Sequence, residues 1–575
     1  MSNYLIEVTA LAERQAESIL KEQDDFLRAN PDHRALARRM KELVACYLAP
    51  DARISGDRRL LLAAVRMLDA LVELQGSSGL FDGDNLQSPP DTAFTANDLL
   101  DTLELLDRFT AADWMPARRA GGDDLITQLK HALETCAFRL DVPLRSGGVH
   151  TPNHRWELCQ ALAKLDARCP DPDRRARIDQ WLNEGIDVDF DGQYSERSAN
   201  YAAYVTNRSL LVLARKLDRV ELEDVVMHNL EAVVAMTDPG GNVETVHSRR
   251  QDQFFAVPIS LFHHQLRLVS VIKNRGDLAW WCQRAWGMGI PDPGDDLSNA
   301  LLDPRGTAAL PAPVAPRGYE RVFGSGLVVN RRRAQYLCLN GGSDWQTFGR
   351  TVSGLACNPT FLHAWVGDVE IRSLRLSRMF FGLGPFRAQN LRREDADGVV
   401  SYVLNEEVSA NYYHPLPAGL CRANADYALE YEGRFAAAMA FSQRERDTLT
   451  LNTEISVTPQ LDGFDVAVKT RGPHTRVCLE MALPDLPAKG AKRLASDVWV
   501  PDGEQVTWGE CEHTVVITVA GDIYSSAPFY EPGEELRHVG GTDALGGQRL
   551  YVGASVPGEL RVSFRAGSRA PADES

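Results

Sequence analysis

The feature that most constrains this chain is a change of hydrophobic period partway along it. From about residue 10 to about residue 290, apolar residues recur at spacings of three and four with few β-branched runs, as helices require. Arg59–Leu74, Asp123–Phe138, Trp156–Leu165, Tyr201–Leu217, Leu222–Met236 and Ser260–Trp286 carry the pattern most clearly. The loops between them concentrate Gly, Pro, Asp and Asn, as at Asp238, Pro239, Gly240, Gly241 and Asn242. Helices joined this way stack as hairpins into a bundle, a solenoid or a closed toroid, and the period alone does not choose.

A stretch rich in Pro, Asp, Gly and Ala then runs from Pro291 to Gly318. Beyond it come short strand-like runs: Gly326–Asn330, Gln335–Leu339, Val399–Leu404, Leu449–Val457, Phe464–Lys469, Val477–Met481, His513–Val519 and Gly558–Phe564. Many short strands separated by turns indicate an antiparallel sandwich or barrel. With 575 residues, too many for one core, the expected organisation is a helical domain over 1–300, a linker over 301–317 and a strand domain over 318–575.

A net charge of −17 argues against nucleic acid or an anionic membrane as partner, since both need a basic footprint. It leaves room for a small anionic ligand in an arginine-lined cleft. The ten cysteines are scattered without a C-x-x-C pair, so neither a zinc knuckle nor a disulfide framework is expected. The first residues lack a basic and apolar leader, and no run is apolar for the roughly 18 residues of a membrane span. The expectation is a soluble, cytoplasmic protein.

Two segments of the helical half stand out. The first is Asn153, His154, Arg155, Trp156 and Glu157, followed by Ala161 and Leu162; the second runs from Asp191 and Gly192 through Glu196, Arg197 and Ser198 to Tyr201. In order and separation they resemble the heparinase II/III-like polysaccharide lyases. The resemblance, which extends over nearly the whole chain, implies an N-terminal incomplete (α/α) toroid followed by an antiparallel β-sandwich. It also implies a carbon-oxygen lyase that cleaves uronate-containing polysaccharides or oligosaccharides by β-elimination.

That chemistry explains the residue types. The C5 proton of a uronate is a poor acid, so its carboxylate must be neutralised while enolate-like charge develops. Asn153 offers amide donors without negative charge and is assigned this contact by the resemblance. Tyr201 falls on the tyrosine expected to act as base, acid or both. A phenol is a weak base at neutral pH unless a cation favours its anion, and Arg155, Arg197 and Arg208 are candidates to supply one. His154 is a partner base, a carboxylate contact or a subsite residue. Tyr204 lies one turn beyond Tyr201. Glu157 and Glu196 are expected to orient neighbouring groups within the substrate site. The polar stretch from Gly240 to Asp252 adds His247 as a catalytic candidate and Arg249 and Arg250 as contacts to an anionic sugar.

The sandwich departs from the resemblance. Where a His-x-His-x-Asp segment is expected, the chain reads Gly354 to His363 with Ala356, Cys357 and Asn358, leaving His363 as a substrate contact on a strand. Arg372, Arg375, Arg378 and Arg387 follow. The chemistry requires no cofactor, a structural divalent metal is compatible with it, and the chain is compatible with a homodimer. Two other readings stand beside the lyase. One is an inverting glycoside hydrolase drawing two carboxylates from Asp82, Asp84, Asp91, Glu157, Glu196 and Glu244. The other is a non-catalytic saccharide-binding protein on the same scaffold.

Overall fold

The computed structural model describes residues 3–50, 52–82, 87–111, 123–332, 335–349, 354–433, 435–510, 513–523 and 547–567. They form two compact units: Met1–Ser195, Ala199–Val234 and Val257–Pro316 in the first, and Glu196–Ser198, Ala235–Ala256 and Arg317–Ser575 in the second.

The first unit is helical. Its elements are α1 (Asn3–Arg28), α2 (His33–Leu48), α3 (Arg58–Leu74), α4 (Pro89–Ala111), α5 (Asp123–Ser146), α6 (Pro152–Arg168), α7 (Pro172–Leu182), α8 (Ala199–Tyr201), α9 (Asn207–Leu217), α10 (Glu221–Ala235), α11 (His263–Ile272), α12 (Gly276–Gly287) and α13 (Pro293–Leu302). Aspartate caps start several of them. Asp32 accepts from the Ala35 amide, Asp57 from Arg59 and Asp292 from Asp295, each cap being worth about 1 kcal/mol. Packing runs from α2 to α4, α6 and α9, and α13 returns to lie on α1 and α2. The inner helices thereby alternate with outer ones, as in an incomplete (α/α) toroid. Helix α6 shows what an inner position demands. It is buried nearly all round, polar Asn153, Glu157, Gln160 and Lys164 included.

The structure breaks two of the expected helices. Ser260–Trp286 divides into α11 and α12 because Asn274 takes a left-handed φ of 51°. Gly276 is needed there too, since a Cβ would lie 2.4 Å from the Ala312 carbonyl oxygen. Tyr201–Leu217 is interrupted by a π-helical turn over Ala202–Thr206. The expected linker is ordered in part: Leu302 ends α13, Pro304–Thr307 forms a 3-10 turn, and the Val314 amide donates to the Gly276 oxygen at 2.9 Å.

The second unit is an antiparallel β-sandwich with one short parallel pairing between Val498–Trp499 and Arg549–Leu550. Its spine is the strand Gly463–Leu483, read from sequence as two runs, paired along both halves with Gln548–Ala566 and irregular between Thr470 and Thr475. The first half also pairs with Arg446–Pro459 and the second with Val369–Arg378, so one strand serves two parts of the sheet. Phe464 and Phe564 face each other across this spine, fully buried, with ring centroids 4.5 Å apart. Residues 235–256, expected with the helices, cluster with the strands. Arg331 Nη1 donates to the Thr237 oxygen at 3.0 Å and Tyr336 Oη to Glu244 Oε1 at 2.9 Å.

Truncating a stacked core ring removes both its contacts and its partner's. Phe564→Ala is expected to cost about 3–5 kcal/mol, read as an earlier denaturant midpoint for the second unit's unfolding; a midpoint unmoved within error would show that the spine does not depend on this pair.

Candidate functional site

A cavity of about 560 Å³ opens on the inner face of the first unit, lined from α2, α4, α6, α9, α11 and α13. Tyr201 and Tyr204 both line it, on either side of the start of the π turn. Such turns are rare and concentrate at functional sites. Upstream, in the second unit, Arg197 takes a left-handed φ of 51°, a strained conformation for a non-glycine residue.

The cavity wall is highly charged and internally matched. Lys41 Nζ donates to Asp98 Oδ1 at 2.5 Å and Asp295 Oδ1 at 2.6 Å, and Arg208 Nη1 reaches the other Asp295 oxygen at 2.5 Å. Burial would raise the Asp295 carboxyl, but Arg208 and Lys41 outweigh it and hold it well below the usual range. Lys164 Nζ meets Asp101 at 2.6 Å. Glu157 accepts from Asn97 Nδ2 at 2.7 Å and Ser209 Oγ at 3.1 Å, yet burial still pushes its carboxyl up. Arg34 stacks over Phe94 at 4.3 Å and pairs with Asp91, while Arg38 keeps 45% of its side chain exposed, 3.9 Å from Asp292 and 4.0 Å from Asp98. Tyr201 lies within electrostatic reach of Arg34.

The other expected residues of α6 sit apart from this wall. Asn153 and His154 are buried but do not line the cavity. Asn153 Oδ1 accepts from Thr151 Oγ1 at 2.7 Å, whereas its buried Nδ2 has no hydrogen-bond partner among the described residues. The His154 ring meets Phe94 edge-on at 6.3 Å and His150 at 4.9 Å. Arg155 is engaged by Glu184 at 2.9 Å and Asp187 at 3.0 Å and lies over Trp156. These ion pairs, rather than an open subsite, account for its placement.

The remaining candidates belong to the second unit. Glu196 holds Arg250 at 2.5 Å, and Arg249 grips Asp344 bidentately with both contacts at 2.8 Å. His247 is buried, and burial together with the positive charges of Arg197 and Arg249 lowers its imidazole to about 3. An imidazole so weakly basic stays neutral near pH 7, where its affinity for a proton is low. His363 Nδ1 donates to Glu244 Oε1, 2.6 Å away.

Where the resemblance leads one to expect histidines, buried guanidiniums organise the backbone. Arg387 Nε donates to the Cys357 oxygen at 2.7 Å, and Arg375 Nε to Thr360 Oγ1 at 2.9 Å. Arg378 pairs with Glu406, while Arg372 is the half-exposed member of the group. Of the carboxylates available to a hydrolase, Asp91, Glu157, Glu196 and Glu244 are each engaged as described, and Asp84 lies outside the described residues. Sequence reasoning missed Arg34, Arg38 and Lys41, although their spacings of four and three along α2 place them on one helix face.

No family model matches the chain, and no curated protein matches it by sequence. The ring of paired helices followed by the antiparallel sandwich is nevertheless the fold of the toroid-and-sandwich polysaccharide lyases. Chondroitin AC lyase from Streptomyces coelicolor A3, solved with chondroitin sulphate, superposes with a TM-score of 0.54 at 12% identity, covering 98% of this chain and 80% of that one. Heparan sulfate lyase HepC from Pedobacter heparinus gives 0.51 at 12% identity over 94% and 77%. Paenibacillus xanthan lyase gives 0.51 at 9% identity over 94% of this chain and 54% of its own. At such identities the likeness is one of fold.

The His247 shift has a stability consequence. Unfolded, the imidazole takes a proton near 6.5; folded, only near 3. Its contribution is therefore intact above the unfolded value and is lost as pH falls from 6.5 towards 3. Replacing it with a residue that does not titrate, His247→Asn, is expected to flatten the fall of the thermal midpoint between pH 7 and pH 4; parallel profiles for the two proteins would contradict the shift.

Proposed function

We propose that the protein is a polysaccharide lyase that cleaves a uronate-containing glycan by β-elimination, with the toroid cavity as the reaction chamber and Tyr201 moving the proton. The observation that carries this reading is Tyr201 itself, held at a π turn on the wall of a cavity large enough for sugar rings. The fold shared with lyases of heparan sulfate, chondroitin and xanthan supports it.

In this reading a base takes the C5 proton, the electron pair forms the C4–C5 double bond, and the C4–O4 bond breaks with a proton delivered to O4. A guanidinium near a phenol stabilises negative charge developing on its oxygen, a task that suits Arg34. Asn153 lies one turn before Glu157 and two before Gln160 on a shared face of α6, and those two residues line the cavity. Its unspent amide donor suits a uronate carboxylate at that end. His154, the partner the resemblance implies, does not line the cavity, whereas His264 does and is the second candidate for proton transfer.

Tyr201→Phe is expected to lower formation of the unsaturated, ultraviolet-absorbing product by at least about 10²-fold while the circular dichroism spectrum stays unchanged. New reducing ends without that absorbance would mean hydrolysis. Saccharide binding without turnover, indifferent to the substitution, would mean a binding protein.

The charge of the wall bears on the substrate. Arg34, Arg38, Lys41, Arg208 and Arg215 face Asp32, Asp98, Asp101, Glu157, Asp295 and Asp303, so cations are not in excess. A multiply sulfated chain would meet little uncompensated positive charge. Short oligosaccharides with one carboxylate per uronate and no sulfate are expected to turn over faster than their sulfated counterparts; the reverse ranking of kcat/KM would reject this charge argument.

A further inference from the structure

We infer that the second unit carries a divalent transition-metal site formed by Asp238, His363 and Glu370. The inference is independent of the elimination reading. One ligand atom from each of these residues lies within 4.8 Å of the others. Asp238 comes from the turn that follows α10, His363 from strand Leu362–Val366 and Glu370 from strand Val369–Arg378. The last two strands form a hairpin whose register shifts between Leu362 and Ala364, at His363 itself. Such irregularities re-aim side chains, commonly at functional positions.

The imidazole is prepared as a ligand. Glu244 Oε1 sits 2.6 Å from Nδ1 and also accepts from Tyr336 Oη at 2.9 Å, so Nδ1 is held as a donor and Nε2 is the nitrogen a metal would take, in place of a proton. That Nε2 is buried and faces Glu370 Oε1 at 3.3 Å. Ligands at ~2.0–2.1 Å from a tetrahedral zinc lie roughly 3.3 Å from one another, which is this separation. The carboxylates are fixed from behind as well: Asp238 Oδ1 accepts the Asn242 amide at 2.7 Å, and Glu370 Oε2 faces Arg372 Nε at 3.3 Å.

Charge points the same way. Asp238, Glu244 and Glu370 surround one imidazole, with Arg372 the accompanying cation. A dication bound by neutral His363 compensates the carboxylates better than a single imidazolium does, and unpaired buried charge is expensive. One nitrogen and two carboxylate oxygens suit zinc or manganese better than calcium, which takes six to eight oxygens. A water would complete the coordination. None of the ligands falls at Ala356–Asn358, where the resemblance leads one to expect histidines. The bound metal would tie the turn after α10 to the hairpin within one unit.

The test uses the full chain, stripped by chelator and then titrated with zinc, manganese or calcium chloride. Metal content, thermal midpoint and the visible spectrum of the cobalt-substituted protein are the readouts. One zinc or manganese per chain, a midpoint raised by that metal and lowered by chelator, and affinity reduced at least about 10-fold in Asp238→Asn, Glu370→Gln and Glu244→Gln are expected. Glu370→Gln should also change the cobalt spectrum, a readout that a merely structural change elsewhere would not move. The proposal is overturned if no metal is retained and the midpoint ignores both metal and chelator. It is overturned equally if metal is retained with unchanged affinity in Asp238→Asn and Glu370→Gln, which would place it on other groups, or if calcium alone binds.

Discussion

The first unit depends on the matching of charges that its inner helices bury. Lys41, on α2, is almost wholly covered and meets Asp98 of α4 and Asp295 of α13, while Arg208 of α9 closes on the same Asp295. Four inner helices are thus tied through one carboxylate-centred network. Taking one partner from such a buried set typically costs about 3–5 kcal/mol because the remaining charges are stranded. A hydrophobic ring would be simpler to stabilise, but it would leave no polar wall. The network permits a water-accessible cavity inside a helical ring, and it also leaves Arg38, flanked by Asp98 and Asp292, on the wall of that space.

The same logic explains where the local backbone is irregular. Between Tyr194, whose hydroxyl donates to buried Asn207 at 2.7 Å, and α9, the chain passes through the left-handed Arg197 and the π turn. Neither feature is favoured by the residues themselves. Anchors on both sides hold the strained backbone in place: Asn207 reaches Asn229 at 2.9 Å, and Gln265 donates to the Ala203 oxygen at 2.7 Å within the turn. Strain held by fixed surroundings is how a side chain such as Tyr201 comes to occupy one position rather than several.

Much of this organisation was legible in the sequence because hydrophobic period reports burial directly. Helices such as α3 and α10 and the strands around Leu451 and Val562 follow from it. What escaped was non-local. The division at Asn274 rests on a backbone conformation that asparagine tolerates but does not demand. Residues 235–256 follow a helix in the chain yet owe their place to Tyr336 and Arg331, nearly one hundred residues away. At the site, Tyr201 and Glu157 were legible through motif context. Arg34, Arg38 and Lys41 were not, because a basic helix face reads as solvated surface until the opposing carboxylates of other helices are known.

The weak basicity of His247 also narrows the proton inventory. Two positive neighbours and full burial keep this imidazole neutral, and a neutral group with so low an affinity for protons takes one from carbon poorly. His363 is occupied at Nδ1 by Glu244 and sits beside Glu370 at Nε2, an arrangement suited to holding a cation. Under the elimination reading, proton transfer then rests on Tyr201, with His264 the histidine that lines the same cavity and charge stabilisation from Arg34 and the Asn153 amide. The histidines that the resemblance leads one to expect in the sandwich are replaced by a frame of buried arginines that brace the backbone of Cys357, Asn358 and Thr360. A lyase built this way would rely on its helical unit for chemistry and keep the strand unit's ionisable groups for structure.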